Sequence, residues 1–137
     1  MPETLALFAV AILLGGMTAF SFLFAPLVFA KLPGETAAGF IRQVFPWYYL
    51  FVLGAAAVAA ALLAAPAPGL AWVMAAVAAG AAVARQLLMP AINRARDRQL
   101  AGEATAGRRF SLLHNASVAL NLLQMVAAGW ALAALAA

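Results

Sequence analysis

QVFPWYYLFVLGAAAVAAALLAAPAPGLAWVMAAVAAGAAVA, residues 43–84, runs for 42 positions without a charge and is interrupted only at Pro66-Ala67-Pro68-Gly69. A helix needs about 20 apolar residues to cross the hydrocarbon core of a bilayer. The stretch is therefore two crossings joined by a tight turn that no helix would carry through. Working outward, Glu3 and Lys31 enclose 27 uncharged residues, and the 28 residues after Arg109 carry no charge. Four spans result, at about 4–30, 44–65, 70–92 and 110–134, the first closed by Pro33-Gly34. The expected architecture is all-α, an integral membrane four-helix bundle forming a single domain over residues 1–137.

Composition supports the same solvent. With 68% hydrophobic and 9% charged residues and a mean hydropathy of +1.03, the chain lies well outside the balance of soluble domains. No basic n-region precedes the first span, which reads as retained rather than as a signal peptide. The pI of 10.8 reflects an excess of basic over acidic residues, and those basic residues are unevenly placed. Lys31 and Arg42 fall between the first two spans, and Arg94, Arg96, Arg98, Arg108 and Arg109 between the last two, with none at the amino terminus or the Pro-Gly turn. That asymmetry places residues 31–43 and 93–109 in the cytoplasm and both termini outside, N-out/C-out, in the inner (cytoplasmic) membrane. Basic residues used this way leave no charge-rich domain for nucleic acid. Trp47, Tyr48 and Tyr49 are expected at the inner interface, and Trp72 and Trp130 at the outer one.

Small residues four apart let helices approach closely, as Ala76, Gly80 and Ala84 do on the third span and Gly15 and Ala19 on the first. Pro26 is expected to kink the first span near its inner end. Four short helices with such faces bury little surface alone, so a homo-oligomer in the lipid bilayer is expected.

The chemistry-bearing pattern lies on the fourth span. His114, Ser117, Asn121 and Gln124 recur at spacings of three, four and three, which places them on one helix face. In lipid that face must turn toward protein, water or a ligand. Arg85 lies about seven residues inside the third span, at a depth comparable with His114, and either snorkels to the headgroups or points inward.

Several explanations of the stripe stand side by side. Interhelical hydrogen bonding alone accounts for it in a structural scaffold. Haem b is the sharpest ligand: His114 would be the metal ligand, Arg85, Arg108 and Arg109 would meet the propionates, Ser117 and Asn121 would line the pocket, and Phe20, Phe24 and Phe45 would flank the macrocycle. Electron transfer or haem handling would follow. A small-solute or proton path is the third, although no Asp or Glu falls in any span to relay protons. Enzymatic chemistry has the least support, since Ser111 and Ser117 have no acid to orient His114 and residues on one helix do not make a triad. The methionines form no copper cluster, and without cysteine there is no thiolate site or disulfide.

The stretches Gly15–Leu32 (GGMTAFSFLFAPLVFAKL), Val44–Tyr49 (VFPWYY) and Arg109–Asn121 (RFSLLHNASVALN) resemble the transmembrane protein 205 family. That family pairs a eukaryotic member associated with cisplatin resistance with many bacterial proteins of unknown function. The resemblance implies a four-helix membrane protein and draws attention to His114, Ser117 and Asn121. It brings no established reaction.

Overall fold

A computed structural model describes all residues, 1–137, as four long helices: α1 (Pro2–Lys31), α2 (Gly34–Leu63), α3 (Pro68–Leu100) and α4 (Ala106–Ala136). All four are long and apolar enough to cross a membrane. The short connections force neighbours in sequence to run antiparallel, and the bundle closes as a ring in which α1 packs on α2, α2 on α3, α3 on α4 and α4 back on α1. This is the four-helix membrane bundle that the charge-free runs predict.

Each helix turns one stripe inward. On α1 it is Ala6, Val10, Leu13 and Met17; on α2 it includes Ala37, Ile41, Tyr48, Val52 and Ala56. The intervals of three, four and seven are those of a helix face. Outward-facing residues are as apolar as inward ones: Phe8, Leu123, Val126 and Trp47 all point away from the bundle. At about 25 cal/mol per Å² such a surface is unfavourable in water and at home in lipid.

The helices outrun the apolar spans. Residues 31–43 and 93–109, read from charge as loops, are mostly helical; only Leu32–Pro33 and residues 101–105 lie between helices at that end. The physical reason is that hydropathy marks where lipid ends, whereas backbone hydrogen bonds decide where a helix ends. At 1.5 Å per residue the 30 residues of α2 span about 45 Å, well beyond a hydrocarbon core of about 30 Å. The polar extension is tied to the bundle by buried Ala37 and Ile41 and by a two-pronged salt bridge from Arg42 to Asp97 at 2.7 and 3.0 Å. At the opposite end Pro68 occupies the start of α3, where its missing N–H costs nothing.

Prolines leave their mark inside α1 and α3. A π turn spans Phe20–Phe24 in α1 and another spans Ala84–Leu88 in α3. In each, the residue preceding the proline donates to the carbonyl five back: Ala25 to Phe20 before Pro26, and Met89 to Ala84 before Pro90. A proline has no N–H for the carbonyl four residues earlier, and the wider turn takes up the interruption.

Close helix approach keeps part of what the spacing suggests: Gly80 and the fully buried Ala84 on α3 face inward. Gly15, Ala19 and Ala76 face outward. The contact on α1 is made by Gly16, where an added Cβ would overlap the Phe51 ring of α2, and on α3 by Gly80, where a Cβ would come within 3.0 Å of the Gln124 amide nitrogen. In a chain this rich in alanine, spacing alone cannot say which small residue meets a partner.

Candidate functional site

A polar centre joins three helices in mid-bundle. The Tyr48 hydroxyl on α2 donates to the Asn121 side-chain oxygen on α4 at 2.6 Å, and the Asn121 amide donates to the Ser21 hydroxyl on α1 at 3.0 Å. The amide also contacts the Met125 sulfur at 3.7 Å. Asn121 thus spends both ends of its side chain holding α1 and α2 to α4. Tyr48 is fixed from the other side by Phe20, stacked at 4.1 Å between centroids and 16° between planes. Ser21 lies in the π turn of α1, so the backbone irregularity and the polar contact occur at one place. π turns recur at functional positions in helices.

Two further contacts complete the centre. Gln124, the one buried polar residue, donates to the Val77 carbonyl of α3 at 2.8 Å, in the space that Gly80 leaves open. Arg85, in the π turn of α3, donates through Nε to the Pro46 carbonyl of α2 at 3.1 Å and through Nη1 to Gln86 at 3.2 Å. The guanidinium therefore engages a neighbouring helix. No buried side-chain nitrogen or oxygen is left without a partner, the condition that a low-dielectric interior imposes.

The polar stripe of α4 divides along its length. Asn121 and Gln124 turn into the bundle, whereas the Ser117 hydroxyl donates to the His114 carbonyl at 2.7 Å on its own helix. His114 faces outward, its ring lying parallel to that of Phe110 at 5.7 Å and 13°. Its imidazole makes no hydrogen bond, and none joins it to Arg85. Phe20, Phe24 and Phe45 pack on one another and on Phe40, Tyr48 and Tyr49, so the space between them is filled by rings. Arg108 and Arg109 lie elsewhere again, beside Arg98 at the α3–α4 turn.

Tyr48 and Tyr49 correct the aromatic-belt reading: both are 6% exposed and belong to the core, and Trp47, 71% exposed, alone of the three faces outward. Tyr48 and Ser21 are the partners of Asn121 that the sequence reading leaves out. A signal for Tyr48 exists, since it falls four residues before Val52 and seven after Ile41, in the same inward stripe. Ser21 is marked only as a hydroxyl in an apolar run five residues before a proline.

Residues 8–101 match the family described as a domain of unknown function (DUF4149). The chain belongs to that family. No curated protein and no solved structure matches the chain. The region shared with the DUF4149 family takes in most of α1, all of α2 and α3, and with them Ser21, Tyr48 and Arg85; the α4 partners Asn121 and Gln124 lie outside it.

Proposed function

We propose that this multi-pass membrane protein is a scaffold, a compact helical module whose polar centre clamps the helices and whose outer faces serve lipid, further copies of the chain or other membrane proteins. The observation that carries this reading is Asn121, whose side chain is fully used in linking Tyr48 and Ser21. A solute path needs polar groups free to exchange partners with its cargo, and here they are engaged with protein. In proteoliposomes, Asn121→Leu should lower thermal stability without changing proton or small-solute flux from that of empty vesicles. Flux in the wild type that Asn121→Leu or Arg85→Gln abolishes would replace the scaffold with a transporter.

The same proposal includes orientation and assembly. The basic end, with Lys31, Arg42 and the arginines of residues 93–109, faces the cytoplasm of a bacterial inner membrane, and the outward apolar faces assemble as a homo-oligomer. The chain has no cysteine, so single probes are clean: Ala104→Cys should be labelled from the cytoplasmic side and Ala67→Cys from the other. Kinship with transmembrane protein 205 rests on the stretches around Pro26, Pro46 and His114 and fits the same four-helix plan.

Haem b binding through His114 is the second reading, supported by an imidazole that faces out of the bundle with no hydrogen-bond partner. The macrocycle would lie against the outside of α4, with a second copy of the chain supplying any sixth ligand. Protein purified from haem-replete cells should then show a Soret band that His114→Ala removes. A colourless wild type would sink this reading and leave the scaffold untouched.

A further inference from the structure

At the basic end, α3 stops in a tightly specified way. Gly102 adopts a left-handed conformation with φ +92°, its N–H donates to the Gln99 carbonyl at 3.1 Å, and the Glu103 N–H donates to the Arg98 carbonyl at 3.1 Å. This pair of bonds around a glycine is the Schellman closure of a helix. It fixes the path into α4 and holds Arg98 opposite the first turn of the next helix. Arg96 braces the same junction, donating to Gln99 at 2.8 Å and lying 5.6 Å over the Phe110 ring.

Between the two helix ends is an open cleft of about 330 Å³ lined by Arg98, Arg108, Arg109, Glu103, Thr105 and Leu112, among others. Its three guanidinium groups are, with Arg94 outside the cleft, the arginines that no partner engages, and they alone converge on one space. Arg42 is paired with Asp97, Arg85 with Pro46 and Gln86, and Arg96 with Gln99 and Phe110. Arg98, Arg108 and Arg109 make no hydrogen bond and no salt bridge, and Glu103 pairs with none of them. The N–H group of Arg108, in the first turn of α4, also has no backbone acceptor. A cleft holding three unpaired cations, one carboxylate and a free helix-start donor has a net charge of +2 and favours an anion with several oxygens, such as phosphate, whose oxygens can meet more than one guanidinium fork at once.

We propose that this cleft binds a phosphate-bearing anion, supplied by the headgroup of an acidic membrane lipid. The lipid source follows from the lining. Leu112, about one turn deeper on α4 than Arg108 and Arg109, lines the cleft on the bilayer side and is 62% exposed. The cleft therefore runs from cationic at the water side to apolar at the membrane side, matching a headgroup and the start of its acyl chain. Basic pockets between membrane helices are suited to such headgroups.

The test uses the full chain in mild non-ionic detergent, titrated separately with short-chain phosphatidylglycerol, short-chain phosphatidylcholine and inorganic phosphate, with bound molecules counted by native mass spectrometry. Phosphatidylglycerol should bind preferentially. Arg98→Gln/Arg108→Gln should weaken it at least roughly tenfold, whereas Lys31→Gln/Arg94→Gln, which removes the same charge at the same end, should stay within about twofold. Glu103→Gln should tighten binding, a gain that misfolding cannot imitate. Equal losses in the two double variants would reduce the cleft to a diffuse cationic end and overturn the site. Phosphate binding as tightly as phosphatidylglycerol, through the same arginines, would overturn the lipid source.

Discussion

On α4, Arg108 and Asn121 lie 13 residues apart, about 20 Å along the helix, in opposite regimes. Asn121 has every polar atom of its side chain engaged, across two helix boundaries and to within 3.0 Å. Arg108 and its neighbours Arg98 and Arg109 have no protein partner. The difference follows from solvent. In the low-dielectric centre an unpaired amide or hydroxyl costs more than the hydrogen bond is worth in water, so polar residues there are retained in mutually satisfied sets. At the water-facing end a guanidinium is well solvated and can stay unpaired at little cost. A polar group in mid-bundle thus informs about packing, and charges that converge on one cleft, rather than their lack of partners, point to a ligand.

Substitutions break this comparison in a defined order. Asn121→Leu should have the largest effect, because it removes two interhelical bonds and strands the Tyr48 hydroxyl; a loss of about 2 kcal/mol is expected, read as a lower melting temperature in detergent by tryptophan fluorescence. Gln124→Met should come next, at about 1 kcal/mol, since it removes only the bond to Val77. Tyr48→Phe keeps the ring stacked on Phe20 and loses one hydroxyl, for an expected loss of about 0.6 kcal/mol. A double-variant cycle with Asn121→Leu should show strong non-additivity, because both changes cut the same contact; additive losses would mean that the two residues do not meet. The smallest effect belongs to Asp97→Asn at the exposed pair with Arg42, whose melting temperature should match the wild type, with any residual difference vanishing at high salt.

How much of this is legible in the sequence depends on the residue. The four helices follow from charge-free runs, since a bilayer filters sequences by hydropathy more sharply than water does. The stripe on α4 is readable as a face but not as a set of partners. At about 100° per residue, His114 and Gln124 sit some 80° apart around the axis, so one stripe spans both the edge and the centre of the contact with neighbouring helices. A helical wheel cannot say how wide the covered sector is. Tyr48 is obscured for another reason. A tyrosine near a helix end fits an interfacial anchor and a buried donor equally well until its acceptor is known, and that acceptor lies 73 positions away in the chain. The unpaired arginines are visible as charge, but their convergence depends on the left-handed turn at Gly102, and a glycine in the sequence does not by itself say that a helix ends there.

The two π turns also govern the numbering of faces. Each fits one more residue into a turn than an α-helix holds, so the helix beyond it is rotated by about 100° relative to an unbroken one. In α3 the apolar stripe of Met74, Val77 and Ala81 precedes the π turn and the arginines of the basic end follow it. The inner and outer halves of this helix are therefore set in rotation independently, and one extra residue sets the angle between them. Deleting Leu87 would remove the surplus residue, leaving only the missing N–H of Pro90, and swing Arg94, Arg96 and Arg98 round to other faces, separating Arg96 from Phe110 and Arg98 from the cleft with all three arginines intact. In this helix, position in the chain and direction in space are coupled through one residue of surplus length.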